Sequence, residues 1–407
     1  MNGIFRIALT ILCACSAMAL GQQTDRKENR SEEPPAEQSS EKEMVTDNRL
    51  GNPPGAVDRL VFFDTPEAWA KGNLRNVAVQ QGEPSRLELA AKRRSRGFPK
   101  RGSYTTEEFS TEFPFTELLP SWNVNTTEKS GFAFDVRVRD AATGEWSPYL
   151  YIGHWGKSPH DPNRRLEYDK GEVHMDYLKL REPANAFQMR ASFYAYALDA
   201  DTTPTLRRLA VSYSGVVKDD AQRKALTKPV IVDGKWARSL PVPFRTQRDL
   251  PPDISGSTCS PTSTSMVMAY AGADFPTLQN AMRIYDDEYG IFGVWSRATA
   301  LPSEYGLDGW LTRFRNWDQV KAQIAKGQPV IASIRWAEGE FPSNPQKSSG
   351  GHLIVIRGFQ ENGDVVVNDP AHKDVGNGIV YKKDELGKAW FEKGGVAYVI
   401  SKPGQRK

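Results

Sequence analysis

The chain has little cysteine. It carries three in 407 residues, and two of them, Cys13 and Cys15, sit in an apolar stretch close to the N-terminus. With only Cys259 left beyond that stretch, a fold stapled by internal disulfides is excluded. A charge excess of one sign is lacking too, since 53 Lys and Arg face 50 Asp and Glu for a net +3. That balance gives no electrostatic footprint for nucleic acid as a partner. Histidine is scarce, with five in all. His154, His160 and His174 lack metal-ligand spacing with partner carboxylates, and no glycine-rich phosphate loop appears. No metal and no other cofactor is therefore expected. Beyond the first residues no segment reaches about 18 uninterrupted apolar positions, so no transmembrane segment is expected in the mature chain.

What is present begins with a leader. Arg6 precedes the apolar or small run Ile7 to Leu20, and Ala19-Leu20-Gly21 fits a small-residue cleavage site. Residues 1–21 read as a signal peptide, which predicts export to the periplasm, the medium or the cell surface. An alternative is lipoprotein processing at Leu12-Cys13-Ala14-Cys15, which would anchor the chain by lipid at Cys15. Residues 22–55 are rich in Glu, Ser, Pro, Gln and Lys, too polar to offset chain entropy, and predict a disordered tether.

From 56 to 216 the pattern is short strands between turns. Phe132, Phe134, Val136 and Val138 alternate with Ala133, Asp135, Arg137 and Arg139, the period of a half-buried strand. Further runs at Tyr149 to Ile152, Val173 to Leu180, Phe187 to Tyr196 and Leu206 to Tyr213 predict an all-β sandwich of jelly-roll type. The basic run Lys92 to Arg96, with Lys100 and Arg101, would suit a glycan or anionic surface polymer, although a solvated loop explains it more simply. A linker at 217–233 leads to a second domain over 234–403. There Pro261 to Gly272, Thr277 to Tyr285 and Trp317 to Lys326 read as helices, and Val330 to Trp336, His352 to Phe359, Val365 to Asn368 and Gly395 to Ser401 as strands. Helices first and antiparallel strands afterwards predict an α+β domain.

A lone thiol in an exported protein is a liability unless it has a use. Ser260 and Pro261 mark a helix start beside Cys259, where free N–H groups and the helix dipole favour a thiolate. His352 opens a strand after Gly350 and Gly351, which would let backbone approach closely. Asp369 ends the strand expected to pair with it, so the carboxylate would orient the imidazole; the alternative is a strand-ending turn residue before Pro370. His372 lies in a polar loop and is not expected in the chemistry. Gln247 would supply an amide to an oxyanion.

Val242-Pro243-Phe244 with Gln247, then Cys259-Ser260-Pro261-Thr262-Ser263 with Met266, then Gly351 to Phe359, then Val367-Asn368-Asp369-Pro370 stand in order along roughly 235 to 401. Together they resemble the papain-like, bacteriocin-processing (double-glycine) cysteine peptidases and their stand-alone relatives. The resemblance implies a papain-like fold with Cys259 as nucleophile, His352 as general base and acid, Asp369 as orienting residue and Gln247 as oxyanion donor. Ser260 departs from the glycine that the family commonly has after its cysteine, and would narrow the cleft or alter the turn. The stretch Asp249 to Thr258 is long. With no transporter segment, a Gly-Gly leader substrate is not carried over.

The reading is an exported cysteine peptidase with a Cys-His-Asp triad. Its substrate would be a peptide or protein, cell-wall peptide included, and its β-domain would target a substrate or surface. The alternative is a catalytically silent surface or glycan-binding protein with a peptidase-like domain.

Overall fold

The period-two pattern at Phe132 to Arg139 forms the strand Ser130–Asp140, with Phe132, Phe134, Val136 and Val138 buried and the alternate residues facing outward. Its neighbours build one antiparallel sheet of twelve strands that folds back on itself as an all-β domain. The long strand Tyr177–Ala195 carries the turn-over. Its first part pairs with Phe109–Asn125, and from Ala184 onward it pairs with Ser130–Asp140, with register shifts between Lys179 and Ala186. Bulged strands bend and twist, which lets one strand serve two layers. Between the layers Trp122 stacks on Phe134 at 4.0 Å, and both are fully buried. Burial of a large apolar side chain contributes roughly 1.5–3 kcal/mol relative to exposure.

This computed structural model describes residues 51–90, 100–159, 161, 163–197, 203–227 and 229–404, all within one compact unit, 47–407. The expected leader, most of the expected tether, the run Lys92 to Arg96 and His160 lie outside the described residues. The end of the expected tether is held in place. Gly51 accepts from Arg315 at 2.5 Å, and Gly55 accepts from Val217 at 2.8 Å. The run Val173 to Leu180, expected as one strand, is a hairpin: Gly171–His174 turns at Met175, whose φ of 58° is left-handed, into Tyr177–Ala195.

The C-terminal domain is α+β. Its six strands lie in the order Asp308–Arg313, Val396–Ser401, Val330–Trp336, Ser349–Phe359, Val365–Asn368, Asn377–Tyr381, every neighbour antiparallel. The helix Cys259–Tyr270 packs on the Ser349–Phe359 strand, and Ser260 to Met268 are buried all round. So buried a helix must satisfy its hydroxyls internally: Thr262 donates to Thr258 O at 2.7 Å, Ser265 to Pro261 O at 2.7 Å and Ser263 to Leu353 O at 3.0 Å.

Asp308–Arg313 is an edge strand that lies against the all-β domain. Leu311 N–H donates to Ser121 Oγ at 3.1 Å, and Asn123 donates to Gly309 O at 2.7 Å. A Cβ at Gly309 would meet Thr299 O at 2.3 Å, so only glycine fits there. Asp308 receives Arg207 at 3.1 Å and Arg208 at 2.9 Å, and Arg208 also reaches Asp64 at 2.9 Å. These charges are nearly all removed from solvent. The two domains are therefore joined through a hydrogen-bonded, charge-paired interface.

Candidate active site

Cys259 is the first residue of its helix and is half-buried. Thr258, ahead of it, makes no side-chain cap, so the N–H groups of the first turn keep their partial positive charge for the sulfur side. His352 enters from the Ser349–Phe359 strand, which packs on that helix. Its Nε2 lies 2.7 Å from Asp369 Oδ1, with both residues buried. That contact leaves Nδ1 for the thiol, which hydrogen-bonds to the His352 ring and to the Leu353 N–H.

Electrostatics follow from these contacts. Burial pushes the Cys259 thiol up, but the His352 hydrogen bond and charge, with the Leu353 N–H, bring it below its ordinary value. Burial alone would lower His352, yet the adjoining Asp369 carboxylate and then Cys259 raise it to about 10. Asp369 is likewise opposed by burial and held well below the usual carboxylate range by His352, Tyr381 and the Ala371 N–H. The three groups favour a thiolate beside an imidazolium.

Gln247 is buried in the short 3-10 turn Gln247–Asp249. Its N–H donates to Pro370 O at 2.9 Å, which ties it to the residue after Asp369. Its Nε2 donates to Ser255 O at 2.7 Å, bracing the loop before Cys259. An amide nitrogen has two hydrogens, so one donor is left over. Successive turns, Ile254 and Ser255 N–H to Pro251 O and Ser257 N–H to Ile254 O, compact the long stretch between glutamine and cysteine.

Two expectations change. Ser260 does not narrow a cleft, because it is fully buried with its hydroxyl 3.2 Å from that of Tyr398. A Cβ on Gly351 would meet nothing within 4 Å, so this glycine borders open space and no backbone closes on it. His372 stands 3.9 Å from Asp369 Oδ2, beyond hydrogen-bond range, and burial holds its ring below the ordinary value.

The sequence reading passed over the residues behind the pair. Tyr381 donates to Asp369 Oδ2 at 2.6 Å and accepts from Asn344 at 3.0 Å. Trp336 meets His352 edge-on at 6.3 Å, Phe341 meets Trp336 at 5.4 Å, and Tyr381 meets Phe341 at 4.8 Å. These contacts close a ring around His352 and Asp369. No spacing in the sequence marks Tyr381, because its partners come from other strands and loops. No group of three or more His, Cys, Asp or Glu suited to a metal occurs among the described residues.

Residues 239–398 match the Peptidase C39 like family, and residues 59–214 match the Peptidase C39 N-terminal domain. The C-terminal domain belongs to the Peptidase C39 like family. It is a cysteine-type peptidase domain of papain-like fold, preceded by an all-β domain. Among solved structures, a cysteine protease from Xylella fastidiosa, xylellain, is similar at 11% identity and a TM-score of 0.22, over 36% of this chain and 79% of that one. The module CBM27-1 of Caldicellulosiruptor saccharolyticus, solved with mannohexaose, is similar at 12% identity and a TM-score of 0.20, over 37% and 96%. A comparison with curated proteins finds no match. No helix among the described residues is long and apolar enough to cross a membrane.

Proposed function

We propose that the protein is an exported peptidase whose C39-like domain cleaves peptide bonds with Cys259, His352, Asp369 and Gln247. The observation that carries the reading is the line Cys259, His352, Asp369, in which one ring nitrogen faces the thiol and the other lies 2.7 Å from the carboxylate. The thiolate attacks the carbonyl carbon, and the oxyanion is met by the spare Gln247 amide hydrogen and the Cys259 N–H. His352 gives its proton to the leaving amine as the C–N bond breaks. A water, deprotonated by His352, then hydrolyses the thioester and frees the thiolate.

The substrate is a peptide or protein, cell-wall peptide included, and the β-domain holds the enzyme on a glycan or surface polymer. The support for that second role is the outer sheet face, where Arg137 lies over Trp146 at 4.6 Å and Tyr149 at 5.2 Å, and Arg190 lies over Tyr149 at 4.1 Å. Flat rings with donors at their edges suit sugar rings, and tethering would raise the effective concentration of substrate. The test is cleavage of a peptide library and of cell-wall peptides by the full chain and by Cys259→Ala. Activity confined to the wild type supports the reading; equal cleavage by both sinks it.

A further inference from the structure

Asp369 can orient His352 only if its own carboxyl plane is fixed. Its two oxygens have different partners. Oδ1 takes the Ala371 N–H at 2.9 Å beside the His352 contact at 2.7 Å. Oδ2 takes the Tyr381 hydroxyl at 2.6 Å, the one hydrogen bond shown to that oxygen among the described residues. The terminal torsion of an aspartate is soft and two-fold, so a carboxyl held at one oxygen alone is free to swing. His372 waits 3.9 Å from Oδ2, within reach of such a swing.

Tyr381 is itself locked. It is fully buried, at the end of the Asn377–Tyr381 strand, with Phe341 against its ring. Its oxygen accepts from Asn344 at 3.0 Å, and this directs its own hydrogen to Asp369. Asn344 in turn is fixed by Gln346 N–H, which donates to its Oδ1 at 2.8 Å. A hydroxyl so tightly flanked, donating to a charged acceptor, makes a strong bond of defined direction.

We propose that Tyr381, set by Asn344, is a positioning residue that keeps Asp369 aimed at His352. This inference rests on the peptidase reading above. The charged and titratable groups around Asp369 are His352, His372, Tyr381, Cys259 and Arg248, the last anchored to Ala371 O at 2.9 Å. Of these, only Tyr381 and His352 make side-chain hydrogen bonds to the carboxylate.

The experiment is the alkylation rate of Cys259 by iodoacetamide, with kcat and KM on a cleaved peptide, each against pH, in wild type, Tyr381→Phe and Asn344→Ala. Without the hydroxyl, Asp369 is no longer held on the His352 ring that it raises, so the alkaline limb of the Tyr381→Phe kcat/KM profile falls by about half a pH unit or more. Its kcat falls about tenfold with KM within about twofold, as expected where orientation in the transition state is lost. Asn344→Ala shifts the same limb in the same direction by less, and keeps the test open if Tyr381→Phe does not fold. A variant that is merely less stable would melt earlier with an unmoved pH profile, and profiles that superimpose on wild type overturn the inference. A wild type that titrates as an ordinary thiol overturns the peptidase reading instead.

Discussion

His352 meets Asp369 through Nε2 at 2.7 Å, and so presents Nδ1 to Cys259. The pair joins the Ser349–Phe359 strand to the loop that leaves its neighbour Val365–Asn368, and it fixes both tautomer and ring plane. The pH dependence follows. Cys259 is lowered and His352 raised to about 10, so thiolate and imidazolium coexist from below the ordinary thiol range up to about pH 10. Peptidase activity should lose its alkaline limb near that value, where no proton remains for the leaving amine. In His352→Ala the alkylation profile should rise to the ordinary thiol range or above it, because burial is then opposed chiefly by the Leu353 N–H.

Gln247→Ala tests the oxyanion role. Removing one such donor costs about 10²–10³ in kcat. The same nitrogen braces the loop at Ser255 O, so both Gln247→Ala and Gln247→Glu lose that bond with the spare donor, the second at nearly unchanged volume. Both variants should alkylate at Cys259 as fast as wild type while failing to turn over. A Gln247→Ala enzyme with unchanged kcat would remove the residue from the mechanism.

Asp308→Ala tests the interface. The change would leave Arg207 and Arg208 buried without their shared carboxylate. Losing one partner of a buried pair costs about 3–5 kcal/mol. Urea unfolding followed by tryptophan fluorescence should show an earlier midpoint, and in the wild type a single transition for both domains. Two separate wild-type transitions would show that the domains unfold independently.

Asp176 offers a test by pH. It reaches from the β-domain hairpin to accept from Ser296 N–H at 2.5 Å, at the start of the helix Trp295–Glu304. Burial, outweighing the hydrogen bonds from Ser296 and Trp295, raises its carboxyl from 3.8 to about 6. A folded-state value above the unfolded one adds stability below the unfolded value and loses it as pH rises through the folded one. The melting temperature should therefore carry a decline between about pH 4 and 6 that Asp176→Asn flattens. A variant with the wild-type slope would assign that decline to other groups.

Much of this was legible in the chain because it depends on local pattern. Phe132 to Val138 declare a strand by alternation, and Cys259, His352 and Asp369 stand in motifs whose order implies a fold. The helix Trp295–Glu304 was missed because Ser296 to Ser303 are buried on every side, which erases an amphipathic stripe, and because Pro302 reads as a breaker. The edge strand Asp308–Arg313 was missed for a similar reason: Asp308 and Arg313 look like surface residues until Arg207, Arg208 and Glu117 are brought to them from the other domain. Tyr381 was invisible because a relay through space leaves no spacing along the sequence.

The outer edge of Asp308–Arg313 ends on the side chains of Ser121 and Asn123, not on another strand. A bare strand edge is a template for pairing with any extended chain, and a peptidase in solution is surrounded by its own copies and by its substrates. The all-β domain thus acts as a guard on the sheet. Severing the chain between the domains would free an adhesive edge, and the liberated half would be prone to self-association before its chemistry could be measured.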